Sequence, residues 1–128
     1  MRLLLDTHIL LWALTEPERL SVSVGETLIN PDNEVLFSAA SLWEISIKVA
    51  LGRADFRVTP QEIFSEAVAA GFVELPVHSA AAMRVADLPH IHRDPFDRLL
   101  VAQAMTEPAL LYTADSQLQA YSELVVCL

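Results

Sequence analysis

Four acidic side chains spread along the chain are of the right type to act together: Asp6 in LLLDTH, Glu44 in SLWEIS, Asp97 in HRDPFDRLL and Asp115 in LLYTADSQ. Carboxylates gathered in one cleft repel one another unless a cation sits between them. Such a set therefore points to divalent-ion chemistry on phosphate groups. Asp6 and Asp115 each follow a short apolar run, Leu3–Leu5 and Ala109–Ala114, that reads as a buried strand. Acids at those points would meet at one edge of a parallel sheet, where α/β proteins place their sites.

Each acid also has an ordinary explanation. Asp6 with Thr7 can cap a following helix. Glu44 and Lys48 share the narrow polar stripe of an otherwise apolar helix and form an i, i+4 pair, worth ~0.3–0.5 kcal/mol if it faces solvent. Asp97 falls in the first turn of a helix capped by Asp94, where an acid favours the helix dipole. Asp115 mirrors Asp6 as strand, acid, short helix. A shared site is therefore indicated only by the set as a whole: two strand-end acids, with two more on the helices between them.

The elements that must position these residues alternate. Strands are expected at Arg2–Leu5, Val35–Phe37, Phe72–Leu75 and Ala109–Thr113, with a last one at Glu123–Cys127. Helices are expected at His8–Leu14, from Ser21 to Ile29, and over Ala39–Leu51, capped by Ser38 and closed by Gly52. A further helix starts at Thr59-Pro60-Gln61-Glu62 and stops at Gly71. Others cover His78–Leu88, Pro95–Thr106 and, briefly, Ser116–Tyr121. Strands alternating with helices predict an α/β domain: a parallel sheet with helices on both faces.

At 128 residues the chain is one domain with a sizeable core. Apolar content of 53% and a mean hydropathy of +0.39 exceed what such a core needs, so some apolar surface is expected to meet a partner or another subunit. The one cysteine, Cys127, excludes a disulfide framework, and a reducing, cytoplasmic setting is expected. The leucine-rich start is interrupted by Asp6 and His8 and lacks a small-residue cleavage site, so it does not read as a signal peptide. No apolar run approaches the ~20 residues of a membrane span. A net charge of −9 counts against a passive nucleic-acid binder. It counts less against a nuclease whose acids hold cations, because bound ions invert the local potential. His90-x-His92 with Asp94 reads as surface residues rather than a zinc site, since no cysteine or third histidine is near. His8 reads as structural or at the cleft rim. The glycines are too dispersed for a phosphate loop.

Taken together, LDTH, SLWEISIKVALG, HRDPFDRLLVAQA and YTAD, in this order and spacing, resemble a PIN domain over essentially the whole chain. More narrowly, the chain is similar to the toxin ribonucleases of VapBC toxin–antitoxin pairs. The resemblance implies a three-layer α/β/α sandwich around a central parallel sheet of four or five strands. It implies an acidic pocket binding Mg²⁺ or Mn²⁺ and endoribonuclease activity. On it, Asp6, Glu44, Asp97 and Asp115 are the catalytic and metal residues, with Asp6 and Asp97 as direct ligands. Glu44 is a ligand or positions the attacking water, and Asp115 acts directly or through water. Thr7 and Thr113 are supporting hydroxyls, and Asp94 caps the helix that carries Asp97. Arg93 is a candidate phosphate contact; Arg98 is either another or pairs with an acid of its own helix. The implied partners are RNA, with a structured target such as tRNA favoured by the acidic surface, and a cognate antitoxin in an apolar groove including Trp12, Leu42, Trp43 and Ile47. A homodimer is expected. Two other readings remain: a silent acidic binding module whose acids only cap helices, and a receiver-like domain phosphorylated on a strand-end Asp. The second is disfavoured because Lys48 is the only lysine.

Overall fold

The computed structural model describes all 128 residues. Strands β1 (Arg2–Leu5), β2 (Glu34–Ser38), β3 (Val73–Leu75), β4 (Leu110–Thr113) and β5 (Val125–Cys127) form one sheet in the order β3-β2-β1-β4-β5. Every pairing is parallel. The helices are α1 (Thr7–Thr15), α2 (Val22–Ile29), α3 (Ala39–Ala50), α4 (Pro60–Ala69), α5 (Ser79–Arg84) and α6 (Pro95–Thr106).

Side chains of a strand alternate between faces, and that alternation splits the core in two. Leu3, Leu5, Val35, Phe37 and Tyr112 pack with Ile9 and Leu10 of α1, Leu28 of α2, Ile45 of α3 and Ile63 of α4. Leu4, Leu36, Leu75 and Leu111 point the other way, onto Leu100, Val101 and Ala104 of α6. The result is the expected three-layer α/β/α sandwich, with five strands. No helix is long and apolar enough to cross a membrane.

Helix boundaries follow local chemistry. Asp6, Ser21, Ser38, Thr59 and Asp94 each cap the helix that follows by accepting a backbone N–H. α4 ends at Gly71, where φ is +86°. There Gly71 donates to the carbonyl of Val68 and Phe72 to that of Ala67, the bonding pattern that favours glycine as the first residue beyond a helix. Two expected helices differ in detail. His78–Leu88 is α5 followed by a tighter 3-10 turn at Val85–Asp87, and Ser116–Ala120 is 3-10 throughout. The segment at Pro17–Arg19, expected only as a break, is also a 3-10 turn.

The strand order decides where a site can form. β1 leads outward through β2 to β3, and the chain then crosses back to place β4 on the other side of β1. The crevice between the carboxyl ends of β1 and β4 is the switch point at which such sheets bind ligands. Leu5 is in register with Tyr112, so Asp6 and Thr113 emerge side by side there, and the Asp6 N–H donates to the Tyr112 carbonyl at 3.0 Å.

Candidate active site

Asp6 does two jobs. Its Oδ1 accepts from Ile9 N–H at 2.9 Å, capping α1, while its Oδ2 accepts from the Thr113 hydroxyl at 2.5 Å. The cap and the site are thus compatible, since an ionised carboxylate has about four acceptor positions. Thr113 spends its one proton on Asp6 and accepts the Asp115 N–H at 3.0 Å, linking the two strand-end acids. Asp6 is 6% exposed, and burial first of all raises its pKa; the bonds from Thr113 and Ile9 oppose that shift.

Glu44 reaches the same edge from α3. Its Oε1 accepts from the Thr7 hydroxyl at 2.6 Å, its Oε2 pairs with Lys48, and Ser41 Oγ lies 3.0 Å from Thr7 Oγ1. The i, i+4 pair read from the sequence is present but does not face solvent: the Glu44 side chain is 5% exposed and that of Lys48 19%. The lysine stem runs past Phe56, with Nζ 5.1 Å from the ring centre.

On α6, Asp94 Oδ1 accepts from Phe96 N–H at 2.8 Å and from Asp97 N–H at 3.3 Å, as its capping role requires. The Asp97 carboxylate accepts no hydrogen bond and lies beside His92 and Asp115. Its pKa is raised to about 7, first by burial and then by the negative charges of Asp94, Asp6 and Glu44, with His92 partly opposing. Asp115 caps the 3-10 turn through Oδ1, which accepts from Gln117 N–H at 2.9 Å, and its Oδ2 is 2.8 Å from His92 Nε2. The structure therefore gathers Asp6, Glu44, Asp97 and Asp115, with Thr7 and Thr113 between them.

Two basic residues separate. Arg93 is exposed. Arg98 takes neither of its expected places: its guanidinium donates to the carbonyls of Val85, Leu88 and Pro89 and to the Tyr121 hydroxyl, bracing the loop before α6. His92, read as a surface residue, is a member of the cluster. Its Nε2 and one oxygen each of Asp97 and Asp115 lie within 4.8 Å of one another. Ser41 and Tyr121 were also missed. The density of charge in HRDPFDR was the one local signal pointing toward His92; nothing in the spacing marks the other two.

A cleft lined by Asp6, His8, Trp12, Ala114, Asp115 and Ser116 opens at the two strand-end acids, with His8 at its rim. It continues past His8 and Trp12 into a groove with Arg19, Asp55 and Arg57. The four residues expected to share an apolar groove are dispersed. Trp12 lines this cleft, Leu42 a separate hollow with Pro60 and Phe64, and Trp43 is 62% exposed with its ring edge-on to Phe96.

The groups gathered here, carboxylates with one imidazole and no thiol, are of a kind that could hold a divalent cation. Burial first, and then the charges of Asp94, Asp6 and Glu44, disfavour the ionised form of Asp97.

The chain is similar in structure to VapBC2 from Rickettsia felis bound to a DNA fragment from their promoter, with a TM-score of 0.71 at 16% identity over 98% of this chain and 96% of that one. It is also similar to FitAcB from Neisseria gonorrhoeae, with a TM-score of 0.60 at 20% identity over the same shares. A search of curated proteins gives no match. The family model described as the PIN domain matches residues 3–124, and with that span of sequence on this sheet and this acidic edge, the chain belongs to the PIN domain family.

Proposed function

We propose that the protein is a metal-dependent endoribonuclease and the toxin of a toxin–antitoxin pair. One observation carries the nuclease reading: four carboxylates converge at the switch point of the sheet, and Asp97 is held there without capping anything or pairing with a lysine or arginine. A module whose acids only cap helices accounts for Asp6, Asp94 and Asp115, but not for the placement of Asp97 and Glu44. The receiver-like reading loses its remaining support because Lys48, the only lysine, is committed to Glu44.

Asp6, Asp97 and Asp115 would hold Mg²⁺ or Mn²⁺, with Glu44 as a further ligand or as the acceptor that orients a water. A divalent ion there supplies activation of water and charge neutralisation on the scissile phosphate. Thr113 keeps Asp6 and Asp115 adjacent, and Thr7 sets the rotamer of Glu44. Arg93, exposed beside α6, is the candidate phosphate contact; Arg98 acts on the loop instead. The groove with Trp12, Arg19 and Arg57 gives RNA a path with an aromatic face and cations in a chain that is otherwise acidic.

The toxin assignment rests on the sequence resemblance and on the likeness to VapBC2 and FitAcB. It implies a cognate antitoxin, for which exposed Trp43 and Ile47 on α3 and Phe64 on α4 offer apolar surface, and a homodimer in a cytoplasmic setting.

The test is cleavage of total RNA and of tRNA by the purified protein with Mn²⁺ or Mg²⁺, with EDTA and Asp97→Asn as controls. Discrete cuts lost with chelator and with the variant are expected. Cuts of equal yield from clean Asp97→Asn protein would rule the reading out.

A further inference from the structure

His92 is the one cluster member without a carboxylate or a hydroxyl, and it is held on three sides. Its backbone N–H donates to the Tyr121 hydroxyl at 2.8 Å, which also accepts from Arg98 at 3.0 Å. Its ring Nδ1 accepts the Asp94 backbone N–H at 3.0 Å. A backbone N–H only donates, so Nδ1 presents its lone pair and the ring proton sits on Nε2. That N–H donates to Asp115 Oδ2 at 2.8 Å, with Asp97 Oδ2 3.8 Å away.

We propose that His92 is a positioning residue whose Nε2–H holds Asp115 Oδ2 turned toward Asp97, so that the two carboxylates can share one divalent cation. The role rests on the metal-dependent reading above. Asp115 needs such a partner. Its side chain is 37% exposed, and its other oxygen is committed to the Gln117 N–H. Without His92, Oδ2 is free to swing into solvent. The histidine is itself seated by a rigid frame, since Arg98 ties the loop to three carbonyls and Tyr121 receives both Arg98 and His92. The tautomer matters too. With its proton aimed at the carboxylates, the imidazole offers no lone pair to the ion, and the donor set stays all-oxygen, as Mg²⁺ and Mn²⁺ prefer.

The experiment is Mn²⁺ titration by calorimetry of the full chain and its variants, with circular dichroism as the fold control; it does not depend on any RNA being cut. Partners that orient a metal ligand are worth ~10–100-fold in affinity, and His92→Ala is expected to lose that much. His92→Gln, whose amide offers an N–H at similar reach, is expected to recover most of the loss. In an Asp115→Asn background, His92→Ala should add nothing further, because the pair acts as a unit. Unchanged Mn²⁺ affinity in folded His92→Ala overturns the proposal, and so does an additive double variant. If His92→Ala does not fold, Tyr121→Phe takes its place. It unseats the His92 backbone without touching the ring and should weaken Mn²⁺ binding by a smaller factor; no change there overturns the proposal as well. Absence of Mn²⁺ binding in the unmodified protein is a different result, sinking the metal-dependent reading as a whole.

Discussion

On the side of the crevice formed by α1 and α3, every carboxylate oxygen is met by a donor. Asp6 has Ile9 N–H and the Thr113 hydroxyl, and Glu44 has the Thr7 hydroxyl and Lys48. Across the crevice, on α6, Asp97 accepts no hydrogen bond, and His92 Nε2 stands 3.8 Å away. The first half is a completed polar network of the kind a buried site must have to be tolerated. In the second half, burial first and then the charges of Asp94, Asp6 and Glu44 raise the Asp97 pKa to about 7. On the metal-dependent reading proposed above, the difference puts the cation nearest Asp97. Folding organises Asp6 and Glu44 without one, whereas at Asp97 folding leaves an excess of negative charge that a bound ion would relieve.

The sharpest way to break this contrast is to neutralise one acid in each half. Asp6→Ala and Asp97→Asn are both expected to lower RNA cleavage by ~10²-fold or more, since even the outer partners of metal ligands are worth 10–100-fold. Their stabilities should move in opposite directions. Asp6→Ala removes a cap and a buried acceptor, costing about 1–3 kcal/mol in urea denaturation. Asp97→Asn should stabilise the ion-free protein at pH 8, because relief of repulsion outweighs the ~0.3–1 kcal/mol of helix-dipole interaction that is lost. Equal destabilisation by the two would erase the distinction between the halves.

The same contrast sets a pH dependence. Asp97 shifts from an ordinary 3.8 to about 7 on folding, so the ion-free folded state holds this proton more tightly than the unfolded chain. Its contribution to stability is full below pH 3.8 and is lost as pH rises through about 7, a change on the order of 2–4 kcal/mol. Asp6, also raised, acts in the same direction. Thermal melts with EDTA should therefore show falling stability between pH 5 and 8 relative to Asp97→Asn. Mn²⁺ should restore more at pH 8 than at pH 5.5, because binding there displaces no proton.

Lys48→Met probes the satisfied half. It leaves Glu44 buried with only Thr7 as partner and should cost about 2–3 kcal/mol, somewhat below a fully buried pair because Lys48 retains some solvent contact. Simultaneous Glu44→Gln should return part of that loss; a single variant with no effect would mean the pair belongs to the surface after all. The smallest expected effect lies far from the acids. Gly71→Ala meets open space but must keep φ near +86°, and should cost about 1 kcal/mol in urea without altering Mn²⁺ affinity.

Local patterns in the chain carried most of the fold. Thr59-Pro60, Asp94-Pro95, Ser38 and Gly71 mark helix ends by chemistry that needs only neighbours in sequence, and the structure places the ends there. The helix expected at His78–Leu88 was less legible, because an alanine-rich stretch does not distinguish an α-helix from one that tightens into a 3-10 turn at Val85. Among the candidate site residues, Asp6 and Asp115 stood out because each follows a buried strand. Arg98 was not, because its partners are carbonyls of a loop folded back over its helix, and no residue type announces a carbonyl. His92 was misread for a different reason: its Asp115 partner lies 23 residues onward, beyond β4.

By itself, then, the sequence determined which residues are acidic, which segments are strands and helices, and where the well-capped helices begin and end, since those depend on side-chain chemistry and on periodicities of two and 3.6. Tertiary structure decided what the acids do. The crossover that sets β4 beside β1 brings Asp6 against Thr113, and the packing of α3 and α6 over the same sheet edge turns a surface-type ion pair and a helix-dipole acid into parts of one partly buried cluster. The physical reason is that charge interactions depend on distance and solvent exposure, and both are properties of the assembled sheet edge rather than of any segment.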